Sequence, residues 1–231
     1  MRLTISGRRV LQFLTVAFVV IMALNLTVIF LHFAAGIEGA IFEKALKKLY
    51  VDNEQNLPSY FNSLLFLIGS ILTGLIHRLE KESTGLRFKW LLLSVVFLFL
   101  SLDESASVHE FFVTLPRHLG FGMQGIFRYT WIIVYGLGTV FLALYLVPSL
   151  LRLPKALFTG LMISGAVYLC GAVVFEVIGG QVASQEGTSN LRYALLATVE
   201  EALEMIGLLL FIHYLLVYIH LDFKSNSFTI T

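Results

Sequence analysis

The segment VLQFLTVAFVVIMALNLTVIFLHFA, residues 10–34, decides the class of fold. It contains no Asp, Glu, Lys or Arg, and roughly 20 such residues in a helix cross the hydrocarbon core of a bilayer. The apolar core of a signal peptide is shorter, roughly 7–15 residues. We therefore interpret this segment, which follows Arg2, Arg8 and Arg9, as an uncleaved membrane anchor.

The rest of the chain repeats this pattern. Its 231 residues are 58% hydrophobic and 13% charged, with a mean hydropathy of +0.85, whereas soluble domains carry roughly 25% charged residues. The connections between apolar stretches are short, so the sequence predicts an all-α polytopic membrane protein with a single transmembrane helical domain over residues 1–231. The expected bundle of about six transmembrane helices covers residues 10–34, 58–77, 88–114, 127–150, 155–181 and 191–220.

The connection between the first two spans, residues 36–57, has its own periodicity. Apolar side chains recur at helical spacing from Ile37 to Leu49, while Glu43, Lys44 and Lys47 fall on the opposite face. This pattern predicts an amphipathic helix that lies on the outer surface of the membrane.

Lys and Arg are distributed unequally between the two sets of loops. With the N-terminus inside, the inner loops hold ten of the 16 Lys and Arg residues and the outer loops hold six. Because positive residues favour the cytoplasmic side, we expect a multi-pass protein with both termini in the cytoplasm.

Composition also excludes several classes of function. A net charge of +1 gives no basic surface for nucleic acid. The single cysteine, Cys170, forms neither an internal disulfide nor a CxxC pair. Haem held by His77 and His213 is disfavoured, because histidines near helix ends usually lie at the membrane interface.

Acidic residues inside the predicted spans are the unusual feature of this chain. A carboxylate at mid-span costs about 2.5–3.5 kcal/mol on insertion scales, so each one is a hypothesis of function. Seven of the 15 acids lie there: Asp103, Glu104, Glu110, Glu176, Glu200, Glu201 and Glu204. Counted along their helices, six of them fall in the outer half of the membrane.

Helical phase separates the candidate ligands from their surroundings. Asp103, Ser107 and Glu110 share one face, and Glu200 shares another with Glu204. The expected metal ligands are Asp103, His109, Glu110, Glu176, Glu200 and Glu204. The expected surrounding residues are Glu104, Ser107, Glu201, Arg117, Arg128 and Arg192.

Several carboxylates in a low dielectric must be compensated by protons, a metal ion or arginines. A divalent metal accepts several carboxylates with an imidazole. Carboxylate chains also carry protons or cations across membranes. Alternatively, Arg117, Arg128 and Arg192 pair with the acids in a structural ion network.

No strong motif decides between these alternatives. His109 and Glu110 begin an HExxH zinc motif, but Val113 stands where its second His is needed. The stretch from Asp52 lacks both the Gly and the final Glu of an EF-hand loop. Catalysis by Ser101, Ser105 or Ser107 is disfavoured, since serines in membrane helices usually join helices.

Four strings carry a resemblance to known sequences. They are the run from Asp52 to Tyr60, SLDESASVHE at 101–110, FEVIGG at 175–180 and EEALEMIG at 200–207. They resemble a group of uncharacterised bacterial six-span inner-membrane proteins with SLDE...HE and EExxE motifs. The resemblance implies a bacterial inner-membrane location, and it adds the outer-lip residues Asp52, Glu54 and Asn56 to the buried set.

The expected function is therefore binding of a cation, a divalent metal above all, in a pocket at the outer side of the membrane. Bound metal would serve transport or metal-dependent chemistry, and the sequence leaves open whether the protein is an enzyme. The alternative is a noncatalytic subunit of a larger membrane complex, with a protein partner or a second copy of the chain, whose acids form an ion-pair network.

Overall fold

The structure is a computed structural model that describes residues 3–109, 131–222 and 227–230. It is helical apart from one short strand pair. In chain order the elements are β1 (Leu3–Ser6), α1 (Gly7–Phe33), α2 (Ala40–Leu49), α3 (Leu57–Leu79), a 3-10 turn (Glu82–Thr84), α4 (Arg87–Ala106), α5 (Trp131–Leu150), α6 (Lys155–Leu169), a π-helical stretch (Cys170–Phe175), α7 (Glu176–Glu186), α8 (Leu191–Asp222) and β2 (Ser227–Ile230).

Five of the described segments are long and apolar enough to cross a membrane: Gly7–Phe33, Leu57–Leu79, Ile133–Leu150, Lys155–Glu186 and Leu191–Leu221. Large apolar side chains on these helices face outward. Phe13 is 69% exposed and Phe141 is 70% exposed. Such surfaces are stable in lipid, so the chain is a helical membrane protein.

Helix α8 lies at the centre of the bundle. It packs against α1, α3, α6, the π-helical stretch and α7. Its buried side chains Met205, Ile212 and Leu215 form the core together with Trp90 of α4 and Ile76 of α3. The acids near the start of α8 are thereby brought into the interior of the bundle.

Helices α3 and α4 are antiparallel and joined by serines. Ser63 and Ser101 each donate a hydrogen bond to the other's backbone carbonyl, at 2.7 and 2.9 Å. Ser70 and Ser94 repeat this exchange one heptad further on, at 2.8 and 2.9 Å. These bonds fix the register, so the end of α4 lies beside the start of α3.

One end of the bundle carries both termini. Strand β1 pairs with β2 in antiparallel register, with Leu3 opposite Ile230. At the ends of α3 and α8, Tyr218 donates a hydrogen bond to Glu80 Oε2 at 2.8 Å. Arg152, after α5, donates to the carbonyl of Thr84 at 3.2 Å. We call this the terminal end, and the other the acidic end.

Helix α4, which corresponds to the third predicted span, is shorter than the sequence predicts. Helix α4 ends at Ala106 rather than continuing to residue 114, because Ser107 adopts the left-handed conformation with φ of 53°. The side chain of Asp103 then accepts a hydrogen bond from the backbone N–H of His109 at 2.7 Å. A carboxylate that turns back onto the backbone in this way competes with continuation of the helix.

Candidate functional site

The predicted acids converge at the acidic end of the bundle. Helix α4 supplies Asp103 and Glu104, α7 supplies Glu176, and α8 supplies Glu200, Glu201 and Glu204. The loop at residues 50–56 closes this end and adds Asp52 and Glu54. The charges of these acids act on one another, so they form one cluster rather than separate surface sites.

A histidine ties the loop to the end of α4. The His109 ring places Nε2 3.5 Å from Glu54 Oε1 and Nδ1 3.4 Å from Asp103 Oδ1. Ser107 donates a second bond to Glu54 at 3.0 Å. Burial opposes a charge on the ring, but its hydrogen bonds to Asp103 and Glu54 and their negative charges outweigh burial and raise the pKa of His109 to about 10.

Asp52 is held from the other side of the opening. Tyr193, in the first turn of α8, donates a hydrogen bond to Asp52 Oδ1 at 2.8 Å. Asp52 as a whole residue is exposed to solvent, whereas its carboxylate is held against the protein by this bond. Burial of that carboxylate, despite the bond from Tyr193 and together with the charges of Glu176 and Glu54, raises the pKa of Asp52 to about 6.

Asn56 has a structural role instead. Its Oδ1 accepts the backbone N–H of Ser59 at 2.9 Å, and Ser59 Oγ accepts the N–H of Asn56 at 2.9 Å. This reciprocal pair is a capping box for α3, and Pro58 follows in the first turn, where its missing N–H costs nothing. The Asn56 side-chain N–H₂ donates to the Tyr50 carbonyl at 2.6 Å, so both polar atoms are occupied.

Glycines let the acidic helices approach closely. A β-carbon at Gly171, in the π-helical stretch, would lie 2.6 Å from the Glu200 carbonyl oxygen and 3.1 Å from Glu204 Cγ. A β-carbon at Gly179 in α7 would lie 3.9 Å from Glu200 Oε2. Glu200 therefore faces α7, where its carboxyl group interacts with that of Glu176.

The interior of the cluster contains an asparagine whose amide oxygen has no donor. Asn62 of α3 is 0% exposed, and within the described part of the chain its Oδ1 accepts no hydrogen bond. Its side-chain N–H₂ faces the carboxyl groups of Glu104 and Glu204, which is itself 8% exposed. Buried polar atoms are nearly always bonded, so the unbonded Oδ1 indicates a missing partner.

Basic side chains do not compensate the cluster within the described ranges. Arg192 pairs with Glu186 and Arg87 pairs with Glu82, both at exposed positions. Among residues 3–109 and 131–222, the only ion pairs to clustered acids are those of His109 with Glu54 and Asp103. The predicted partners Arg117 and Arg128 and the predicted ligand Glu110 lie outside the described residues.

The structure thus brings together most of the predicted site. Asp103, His109, Glu176, Glu200 and Glu204 lie at the acidic end with Glu104, Ser107 and Glu201. In the described part of the chain, no three His, Cys, Asp or Glu side chains are already arranged to hold a metal ion. Sequence reasoning missed Asn62, Tyr168 and Tyr193.

Of these three residues, Asn62 alone left a signal in the sequence. Asn62 is a polar residue in an otherwise apolar span, which could have marked it. Tyr168 is half-buried beside Glu204 and within reach of the charges of Glu104 and Glu201. Tyrosines of membrane helices commonly lie at interfaces, so nothing in its position pointed to that contact.

The family of the chain is clear from its sequence. The family described as a domain of unknown function (DUF8692) matches residues 11–219, so the chain belongs to that family. The match includes every helix from α2 to α7 and most of α1 and α8. Neither the curated proteins nor the solved structures contain a match to this chain.

Proposed function

We propose that this protein binds a divalent cation between Glu104, Glu204 and the side-chain oxygen of Asn62. The observation that carries the proposal is the fully buried Asn62, whose Oδ1 has no donor, beside two carboxyl groups that have no Lys or Arg partner among the described residues. Hard divalent cations take carboxylate and amide oxygens together. Leaving the amide unsatisfied costs about 1–3 kcal/mol, which such an ion would offset.

The donor chemistry fits a hard cation better than a softer metal held through imidazole. Because both nitrogens of His109 contact carboxylates and its pKa is about 10, His109 carries a proton at neutral pH and serves as a countercharge rather than a ligand. Ligand oxygens approach such ions to about 2.0–2.6 Å. Binding therefore requires Glu104 and Glu204 to close on the ion, with Glu176, Glu200, Glu201 and Asp103 around them.

The proposal includes the placement of this site in the membrane. Helix α4 carries Lys89, Asp103 and Glu104, but its serine pairs keep it beside α3 along its length, so we count it as a sixth span. Helix α2 lies on the outer surface, since Ile41 is exposed on one face and Glu43 and Lys47 lie on another. The site then opens to the outer side of a bacterial inner membrane, with both termini cytoplasmic.

Binding of Mn²⁺ to the purified, metal-stripped protein tests the proposal. Loss of the paramagnetic signal of free Mn²⁺ counts bound ions, and Mg²⁺ or Ca²⁺ serves as a competitor. We expect near-stoichiometric binding that falls at least about tenfold in Glu204→Gln and in Asn62→Leu, each of which removes a ligand oxygen. Glu186→Gln, which removes an exposed acid of α7, is the matched control and should bind like the wild type.

Absence of saturable binding to the wild type, or equal binding by Glu204→Gln, contradicts the cation proposal. The structural alternative predicts a different pattern. Glu204→Gln would then lower the melting temperature without any effect on bound metal, and replacement of Arg117 or Arg128 would partly restore it.

A bound cation at this place serves either transport or metal-dependent chemistry. Protein reconstituted into vesicles that enclose a Mn²⁺-sensitive dye distinguishes the two. Transport predicts quenching of the dye that Glu204→Gln abolishes, whereas chemistry at the membrane face predicts binding without quenching.

A further inference from the structure

A cavity lies at the terminal end of the bundle, far from the acids. It has a volume of about 620 Å³ and is bounded by the start of α1 and the last turns of α8. Polar walls come from Arg8, Gln12, His213 and His220, and apolar walls from residues such as Leu11 and Leu216. One ligand would therefore meet both polar and apolar surfaces here.

The residues that line the cavity carry positive charge and no negative charge. Arg8 is exposed, and neither Asp nor Glu occurs among the lining residues. No ion pair to Arg8, His213 or His220 occurs among the described residues. An anionic group suits this wall, because the planar guanidinium of arginine binds two phosphate oxygens at once.

The depth of the cavity indicates what carries the anion. Arg8 lies in the first turn of the span Gly7–Phe33, and His220 lies in the last turn of the span Leu191–Leu221. Phe13, just over one turn further along α1, is 69% exposed and marks the start of the lipid-facing surface. The cavity thus lies at the boundary between hydrocarbon and headgroups, where lipid phosphates are found.

We propose that this cavity binds the headgroup of an anionic phospholipid, with the phosphate at Arg8 and the start of an acyl chain against Leu11 and Leu216. The apolar wall favours a lipid over a free phosphate, because a soluble anion would leave these side chains uncovered. The absence of an acid from the lining favours an anionic lipid over a zwitterionic one, whose ammonium group would have no partner.

Native mass spectrometry of the full chain, released from detergent with added lipid, tests this. Phosphatidylglycerol is compared with phosphatidylcholine of the same acyl chains. We expect the wild type to retain the anionic lipid at least about fivefold more than the zwitterionic one. Arg8→Gln should remove this preference, whereas Arg9→Gln should keep it, because Arg9 is equally charged and exposed but lies outside the cavity.

A second variant separates the cavity from general charge. Val217→Trp fills the cavity without a change in charge and should lower retention of phosphatidylglycerol as Arg8→Gln does. Equal losses in Arg8→Gln and Arg9→Gln would mean nonspecific attraction and would overturn the proposal. So would equal retention of the two lipids, or full displacement of phosphatidylglycerol by glycerol phosphate, which would identify a soluble anion as the ligand.

Discussion

Two asparagines at the same depth of burial differ in what surrounds them. Asn25 and Asn62 are both 0% exposed. Asn25 donates to Thr198 Oγ1 at 3.0 Å and accepts the N–H of Val51 at 3.1 Å, which joins α1, the loop at 50–56 and α8. Asn62 Oδ1 has no donor, and the Asn62 amide faces the carboxyl groups of Glu104 and Glu204. The first asparagine stabilises the fold, and the second belongs to the proposed cation site.

This contrast predicts different effects of one substitution on stability. Asn25→Leu leaves the buried N–H of Val51 without its acceptor and removes the donor to Thr198 Oγ1, which keeps its own bond to the Ala194 carbonyl, and it should lower the free energy of unfolding by about 1–3 kcal/mol. Asn62→Leu also removes an amide oxygen that has no donor, so its effect on stability should be clearly smaller. Thermal unfolding in detergent without added metal measures both. A loss for Asn62→Leu as large as for Asn25→Leu would mean that Asn62 has a structural bond.

Asp52 gives the acidic end a dependence on pH. Its pKa rises from 3.8 to about 6 on folding, so the folded protein holds this proton more tightly than the unfolded chain does. The contribution of Asp52 to stability therefore improves as the pH falls from above 6 towards 4, and above pH 6 its charge is a net cost.

Asp52→Asn should remove this dependence. Asparagine keeps an oxygen for the Tyr193 hydroxyl but carries no charge, so the variant should melt higher than the wild type at pH 8 and equally at pH 4. Melting temperatures across this range measure the difference. Glu43→Gln, an exposed acid on α2, is the control and should follow the wild type at every pH. A constant difference between Asp52→Asn and wild type would contradict titration of Asp52.

Single residues of the site differ in how far sequence reveals them. Glu200 and Glu204 were predictable, because a carboxylate inside a membrane span is energetically costly and is therefore rarely present without a function. The position of Glu104 was not, because helical phase shows only which residues share a face and not which helix that face meets. Glu104 was placed among the surroundings, yet it faces Asn62. Asn56 was grouped with Asp52 and Glu54 because it lies next to them in the sequence, but its side chain caps helix α3.

At the scale of elements, close contact between α6 and α8 depends on glycine. A β-carbon at Gly207 would lie 2.7 Å from the Tyr168 backbone nitrogen and 2.9 Å from the Ser164 carbonyl oxygen. Backbone atoms cannot yield cheaply, so the helices would have to separate. Gly207 lies on α8, whereas at Gly165, on α6, such a carbon would have nothing within 4 Å.

Gly207→Ala should therefore destabilise the protein by about 1–3 kcal/mol, the usual cost of overpacking. It should also weaken Mn²⁺ binding, because Glu204 lies one turn away and contacts Tyr168. Gly165→Ala adds the same methyl group in open space and should leave stability unchanged or raise it by up to about 1 kcal/mol. Thermal unfolding and metal titration check both variants. Equal stability of the two would show that α6 and α8 are not in such close contact.

The π-helical stretch shows why some elements resist prediction. Residues Cys170–Phe175 are wound more loosely than an α-helix and lie directly before Glu176. Each added residue turns a helix by about 100°, so the altered winding changes the direction in which Glu176 points. Apolar periodicity predicted a span over 155–181, and a span covers Lys155–Glu186. Its local winding depends on packing against α8, which composition does not encode.

At the scale of the whole molecule, the pairing of the termini constrains the number of crossings. Strands β1 and β2 place both termini at one end of the bundle, so the chain must cross an even number of times. The described residues contain five segments that qualify by composition. Lys89, near the start of α4, lies 2.9 Å from the centre of the Tyr145 ring near the end of α5, so the start of α4 and the end of α5 lie at the same level of the bundle. The sixth crossing that we propose for α4 satisfies both observations.

Six crossings predict the side of every loop. The test uses a chain in which Cys170 is replaced by Ser and a single cysteine is introduced elsewhere. A cysteine at Thr84, between α3 and α4, or at Arg152, between α5 and α6, should lie on the same side of the membrane as both termini. Cysteines at Glu38 and Thr188 should lie on the other side.

Labelling with a membrane-impermeant maleimide in intact cells and in inverted vesicles distinguishes the sides. The excess of Lys and Arg in the loops at the terminal end predicts that only Glu38→Cys and Thr188→Cys react in intact cells. Labelling of Thr84→Cys and Arg152→Cys from opposite sides would contradict a crossing by α4. It would also contradict the proposed position of Asp103 and Glu104 inside the membrane.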